Sequence, residues 1–128
     1  MHIKSKKVWL TVIIVVLGLI VLVVLQNHNQ STQNAIPYTE APKHIGQHIT
    51  VSGKIVSTSY RKGTDFLDYC ANYLNCPLAL VVLDNNTSKF GDIGRYSGNN
   101  VIANGTVTTY QGRTEIIMSD PSQIRLAQ

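Results

Sequence analysis

The stretch Ile49-Thr50-Val51-Ser52-Gly53-Lys54-Ile55-Val56 decides the fold, because the chain repeats it as Val101-Ile102-Ala103-Asn104-Gly105-Thr106-Val107-Thr108. Each copy sets branched apolar residues at period two around an interior glycine. Alternation of this kind predicts a strand buried on one face. An interior glycine weakens a strand and marks a bulge or a sharp bend at a barrel corner. Two bent strands in so short a chain predict a small closed barrel.

Working outward, the first bent strand is expected over residues 48–60. Ala41-Pro42-Lys43-His44-Ile45-Gly46 ahead of it predicts a short helical turn, with proline near its start and glycine at its end. Arg61-Lys62-Gly63-Thr64 is a turn by composition, residues 65–70 read as a second strand, and residues 71–76 as a loop or short helix. Leu78-Ala79-Leu80-Val81-Val82-Leu83 is a continuous apolar run of strand length, which suits the centre of the core. Residues 87–99 are polar, with Phe90, Ile93 and Tyr96 at helix-like spacing. They predict a short helix or ordered loop plugging one barrel end. The second bent strand runs over 101–110, Gln111-Gly112 turns the chain, and 113–118 forms the last long strand. Ile124-Arg125-Leu126 closes the domain.

Five strands with an insert between the third and fourth predict an all-β, five-stranded OB-fold barrel. The motifs Gly46-Gln47-His48-Ile49-Thr50-Val51-Ser52-Gly53-Lys54-Ile55, Gly63-Thr64-Asp65-Phe66-Leu67-Asp68, Asn104-Gly105-Thr106-Val107 and Tyr110-Gln111-Gly112-Arg113-Thr114-Glu115-Ile116 together resemble nucleic-acid-binding-type OB domains of bacteria. The resemblance covers roughly residues 45–126. It implies the fold, and with it binding of single-stranded nucleic acid or an oligosaccharide. The chain departs from the pattern at Tyr69-Cys70-Ala71-Asn72-Tyr73-Leu74-Asn75-Cys76. Similar domains tend there to run from a Phe-Leu strand into glycine and proline, so this loop has its own chemistry.

Residues 8–25 carry no charge. At about 1.5 Å per helical residue they reach roughly 27 Å, near the hydrocarbon thickness of a bilayer. A small domain could not bury such a helix on every side. A cleaved signal peptide is the competitor, but its apolar region is shorter and ends in a small-residue cleavage site. Here the run exits into Gln26-Asn27-His28-Asn29-Gln30. An uncleaved signal anchor is the expectation. Lys4, Lys6 and Lys7 precede the span, and the first basic residue after it is Lys43. The positive-inside rule then keeps the N-terminus cytoplasmic and the C-terminal domain extracytoplasmic. The expected division is a basic tail at 1–7, a transmembrane anchor at 8–25, a polar flexible stalk at 26–41 and the OB domain at 42–128.

The formal net charge is +4, from 11 Lys and Arg against 7 Asp and Glu. Three lysines belong to the tail, which leaves the remainder at +1. Such a balance supports phosphate binding only if the cations cluster.

Cys70 and Cys76 sit in one loop. In an oxidising compartment a Cys70–Cys76 disulfide is expected, with free buried thiols as the alternative. Two cysteines do not complete a tetrahedral zinc site, and His44 and His48 are far away in sequence. Neither a metal nor a cofactor is expected.

OB domains bind ligands across strands two and three and the loops beside them. The first such loop carries Tyr60, Arg61 and Lys62, strand two carries Phe66 and Tyr69, and the second loop carries Tyr110 and Arg113. Aromatic rings stack on bases while Lys and Arg track phosphates. These seven are the candidate ligand residues. The competing reading makes Tyr60 and Tyr110 barrel caps, Phe66 a core residue and the cations solvated. A nuclease-like set of acids and arginines around calcium cannot be placed. Asp65 and Asp68 point to different faces of one strand at odd spacing, and Glu115 and Asp120 have no evident partner. No nucleophile motif or phosphate-binding glycine loop occurs. The expected function is a non-enzymatic, membrane-tethered module for single-stranded nucleic acid or a similar polymer. The alternative is a protein–protein module of an envelope complex.

Overall fold

The apolar run and the repeated strand phrase fold into separate units, Met1–Asn34 and Ala35–Gln128. The structure is a computed structural model and describes residues 2–128, with the side chains of 6–24 and 34–128. Of the expected tail at 1–7, anchor at 8–25 and stalk at 26–41, the side chains of residues 1–5 and 25–33 lie outside that set.

The first unit is one helix, α1 (His2–Gln33). Its segment Lys6–Val24 has a mean hydropathy of 2.9 and no part buried. It is long and apolar enough to cross a membrane by length and composition. The helix continues past the apolar run because nothing before Pro37 interrupts it, and extending a helix adds one hydrogen bond per residue fixed.

In the second unit, β1 (Ile36–Pro37) and a 3₁₀ helix (Tyr38–His44) precede β2 (His48–Lys54) and β3 (Ser57–Arg61). The unit thus starts at Ala35 rather than at the expected boundary of 42. Polar composition suggested a linker there, but Ile36 and Tyr38 pack against the core. The order continues with β4 (Thr64–Asp68), β5 (Ala79–Val82), α2 (Asp84–Phe90), β6 (Asn100–Tyr110), β7 (Arg113–Ile117) and β8 (Ile124–Leu126).

The strands form one eight-stranded sheet in the order β1-β2-β6-β7-β5-β4-β3, with β8 on β6. It is a mixed sheet: β1–β2 and β5–β7 are parallel and the other pairs antiparallel. The expectation of an all-β, closed, five-stranded barrel is therefore corrected in three ways. Helices accompany the sheet. Two short strands, β1 and β8, add to its edges. The ladder does not close on itself, because the first bent strand breaks and its halves take different neighbours. β2 pairs with β6 and β3 with β4. At the switch, Ile55 N–H donates to Asn99 O at 3.0 Å and Val56 N–H donates to Asp68 O at 2.8 Å. Covalent chain, not a ladder, joins the two halves.

The bend falls at Ile55–Val56, beyond Gly53. Gly53 serves close approach instead. A Cβ there would meet Tyr38 Cδ1 at 2.5 Å and Tyr69 Cε1 at 2.9 Å. Gly105 likewise leaves room for Ile116.

Val51, Ile55, Leu67, Leu80, Val82, Val101, Val107 and Ile116 fill the interior with no exposure. β5 is buried along its whole length, as its unbroken apolar run predicts. Phe90, Ile93 and Tyr96, from α2 and the 3₁₀ helix Ile93–Tyr96, are buried in the same core.

Candidate binding cleft on the outer sheet face

Two hairpin turns build the site. β3 passes to β4 through Lys62-Gly63, and β6 to β7 through Gln111-Gly112. All four residues have positive φ, at 48°, 80°, 50° and 76°. This is the type I′ form, whose twist matches that of the flanking strands. Each turn fixes its register, opposing Arg61 to Thr64 and Tyr110 to Arg113.

Period two then assigns the faces. Arg61, Thr64 and Phe66 share the outer face with Val81 and Ile117, and Arg113 and Glu115 follow along β7. These residues, with Lys62, Leu83, Tyr110, Gln111 and Tyr73, line a cleft of about 870 Å³.

Tyr73 comes from the loop that departs from the OB pattern. Cys70 and Cys76 are bonded, with their Cα atoms 5.6 Å apart. Inside that loop Tyr73–Asn75 forms a 3₁₀ turn, and Asn72 Oδ1 accepts from Leu74 N–H at 3.1 Å. The Tyr73 ring receives two guanidinium groups, with Arg61 Cζ 4.9 Å and Arg113 Cζ 5.0 Å from its centroid. Arg61 also lies 4.6 Å from the Phe66 centroid. Cation–π packing of this kind contributes roughly 0.5–2 kcal/mol per contact and holds both arginines in place.

Two carboxylates are set into the same face. Asp68 is buried and its Oδ1 has no hydrogen-bond partner. Burial pushes its carboxyl up, opposed by Arg61 and Arg113. Glu115 is 8% exposed and lines the cleft. Burial pushes it up as well, and Arg113 pulls it down. Asp65 lies on the opposite face of β4, beside Val82, where burial raises its carboxyl.

Of the seven candidate ligand residues, Arg61, Lys62, Phe66, Tyr110 and Arg113 converge on the cleft. Tyr60 does not. It opposes Asp65, and adjacent strand residues point to opposite faces, so Tyr60 and Arg61 cannot both face the cleft. Tyr69 is 3% exposed and belongs to the core. Its ring stacks on Tyr38 at 4.3 Å and 4° over the space left by Gly53. Its buried hydroxyl has no partner, and burial raises its pKa.

Tyr73 and Glu115 were not among those candidates. The period-two run Arg113-Thr114-Glu115-Ile116-Ile117 carried the signal for Glu115. For Tyr73 the signal was its place between two cysteines beside the ligand face. Among the described residues no group of three His, Cys, Asp or Glu side chains could hold a metal ion. The cleft offers stacking, positive charge and one carboxylate, Glu115.

No protein-family model matches the sequence, and no curated protein matches it. Solved structures do match. An OBody, AM1L10, bound to hen egg-white lysozyme is similar with a TM-score of 0.55 at 18% identity, over 73% of this chain and 93% of that one. Aspartyl-tRNA synthetase from Entamoeba histolytica is similar with a TM-score of 0.53 at 11% identity, over 72% of this chain and 21% of its own. Asparaginyl-tRNA synthetase from Pyrococcus horikoshii, complexed with asparaginyl-adenylate, gives 0.50 at 17%, over 73% and 22%. At these identities the likeness shows the fold, and the fold is the OB-fold.

Proposed function

We propose that this chain is a single-pass, membrane-tethered OB-fold module, without catalytic activity, whose extracytoplasmic cleft binds single-stranded nucleic acid or a similar phosphate-bearing polymer. The observation that carries this reading is the convergence of Arg61, Lys62 and Arg113 with Phe66, Tyr73 and Tyr110 in one cleft. Unselective single-strand binding needs cations along a backbone track and aromatic faces for the bases. Tyr110 is the open platform, at 62% exposure. Lys62 projects from a turn and makes no cation–π contact. The tether rests on the Lys6–Val24 segment and on Lys4, Lys6 and Lys7 at its N-terminal end.

A protein partner is the second reading. It draws on Leu83 and Ile117, which line the cleft at 42% and 39% exposure beside Tyr110. A partner side chain could bury against them.

The test is a titration of the full chain, in detergent micelles, with a labelled single-stranded oligonucleotide. Micromolar binding is expected. Tyr110→Ala should weaken it by about 1–3 kcal/mol, the worth of one base stack. Lys62→Ala should weaken it too, while Tyr60→Ala, outside the cleft, should leave it unchanged. Failure to bind at low salt would overturn the reading and favour a protein partner.

A further inference from the structure

Glu115 is the one acid lining the cleft, and it is 8% exposed. Among the described residues its carboxylate accepts no hydrogen bond, and Arg113 is the cation that acts on it. Among the described residues the ion pair within 4.0 Å is Lys43–Glu40, on the opposite end of the unit's sequence. The Arg113 guanidinium lies 5.0 Å from the Tyr73 centroid and acts on Glu115 through its charge, not through a hydrogen bond. The one hydrogen bond recorded to Glu115 from a side chain goes to its backbone carbonyl, from Thr108 Oγ1. The residue is largely buried while its carboxylate oxygens stay open to the cleft, so a ligand that brings N–H donors can pair with them.

Its neighbour defines that ligand. Tyr110 opposes Arg113, and Thr108 opposes Glu115. Tyr110 and Glu115 are therefore diagonal neighbours on one face, about 7–8 Å apart between strands. A base stacked on the Tyr110 ring would turn one edge toward Glu115. A carboxylate accepts two parallel N–H donors. Guanine presents two side by side on its Watson–Crick edge, N1–H and the N2 amine. Adenine and cytosine set a ring acceptor beside their single amine. Thymine sets a carbonyl on each side of its one N–H. Those edges would bring lone pairs against the carboxylate.

We infer that the cleft selects guanine: the base stacks on Tyr110, its Watson–Crick edge donates twice to Glu115, and Lys62 holds a neighbouring phosphate. This inference rests on the reading of the cleft as a single-strand site. A good bidentate base contact discriminates by roughly 5- to 150-fold. A site built around a buried polar group also rejects ligands that leave it unpaired.

The experiment uses the full chain in micelles and a short thymidine oligonucleotide carrying one guanosine. Parallel oligonucleotides carry inosine, 2-aminopurine, adenosine or thymidine at that place. Guanosine should bind at least 5-fold tighter than adenosine or thymidine. Inosine, which lacks the N2 amine, and 2-aminopurine, which lacks N1–H, should each lose most of the preference. Glu115→Gln keeps the shape but supplies one acceptor, and should bring all five together near the thymidine affinity. A thermal melt confirms that this variant is folded.

Equal binding of all five by the unsubstituted chain overturns the selectivity while leaving the single-strand site standing. A guanosine preference that survives in Glu115→Gln also overturns it. If no oligonucleotide binds, the underlying reading fails. Capture of a lysine-rich peptide that Glu115→Gln abolishes would then assign the acceptor to a protein partner.

Discussion

Gly53→Ala sets two physical effects against each other, and the structure decides between them. Glycine inside a strand is less favourable than alanine by roughly 0.5–1 kcal/mol. Gly53 does not have positive φ, so alanine meets no backbone penalty. Propensity alone predicts a more stable protein. Packing predicts the reverse. A Cβ would stand 2.5 Å from Tyr38 Cδ1 and 2.9 and 3.0 Å from Tyr69 Cε1 and Cδ1. The two rings are stacked 4.3 Å apart, so neither can retreat without pushing the other. Tyr69 is enclosed, and Tyr38 OH already lies 3.9 Å from Cys70 Sγ. Overpacking of this kind costs about 1–3 kcal/mol. Net destabilisation should be about 1–2 kcal/mol, a fall in Tm of about 4–15 °C for a unit of this size. Urea denaturation followed by near-ultraviolet circular dichroism, which reports the tyrosines, measures it. In a Tyr38→Ala background the penalty should shrink by at least about 0.5 kcal/mol, the coupling of residues in contact. A Gly53→Ala protein with a raised Tm would refute the close-approach account of this glycine.

Three further predictions concern the frame of the cleft. Gln111 sits at φ 50° in a type I′ turn, and Gln111→Asn should raise stability by about 0.5 kcal/mol in a thermal melt, because asparagine tolerates that conformation better. Replacing both Cys70 and Cys76 by serine should cost about 2 kcal/mol in denaturant, the loop-closure value for so short a ring. The same pair should weaken oligonucleotide binding, because Tyr73 then loses the loop that seats it under Arg61 and Arg113. Burial holds the Glu115 carboxyl above its ordinary value of 4.5, against the pull of Arg113 and with Asp68 and Arg61 on the same face. The folded state thus binds this proton more tightly than the unfolded state, and stability falls as pH rises through that raised range. Glu115→Gln should therefore be more stable than the parent chain at neutral pH, with the gain fading as pH drops below 4.5. Denaturation at both pH values checks the sign.

Much of this architecture was legible because strand chemistry is local. The alternation around Gly53 and Gly105, the apolar run of β5 and the Lys62-Gly63 and Gln111-Gly112 turns are each short-range signals. They placed the long strands, and the spacing of Phe90, Ile93 and Tyr96 placed a helical insert that packs into the core. What depended on pairing was not legible. The break of the first strand at Ile55–Val56 follows from its halves choosing β6 and β4 as partners. The strands β1 and β8 are too short to carry a periodicity of their own. At the site, chain proximity grouped Tyr60 with Arg61, although the pleat separates them. It also placed Tyr69 on the ligand face, whereas Gly53 opens a slot that draws this ring inward. Glu115 looked isolated in sequence because its relation to Tyr110 runs across a hairpin.

The central claim, that three cations of one cleft meet a phosphate backbone, is tested most directly by the salt dependence of single-stranded oligonucleotide affinity. Each neutralised phosphate contributes about −0.7 to the slope of log affinity against log salt for a single strand. With Arg61, Lys62 and Arg113 engaged, the slope should be about −2, and Lys62→Ala should make it shallower by about 0.7. A slope near zero, or a slope that Lys62→Ala leaves unchanged, would contradict the account.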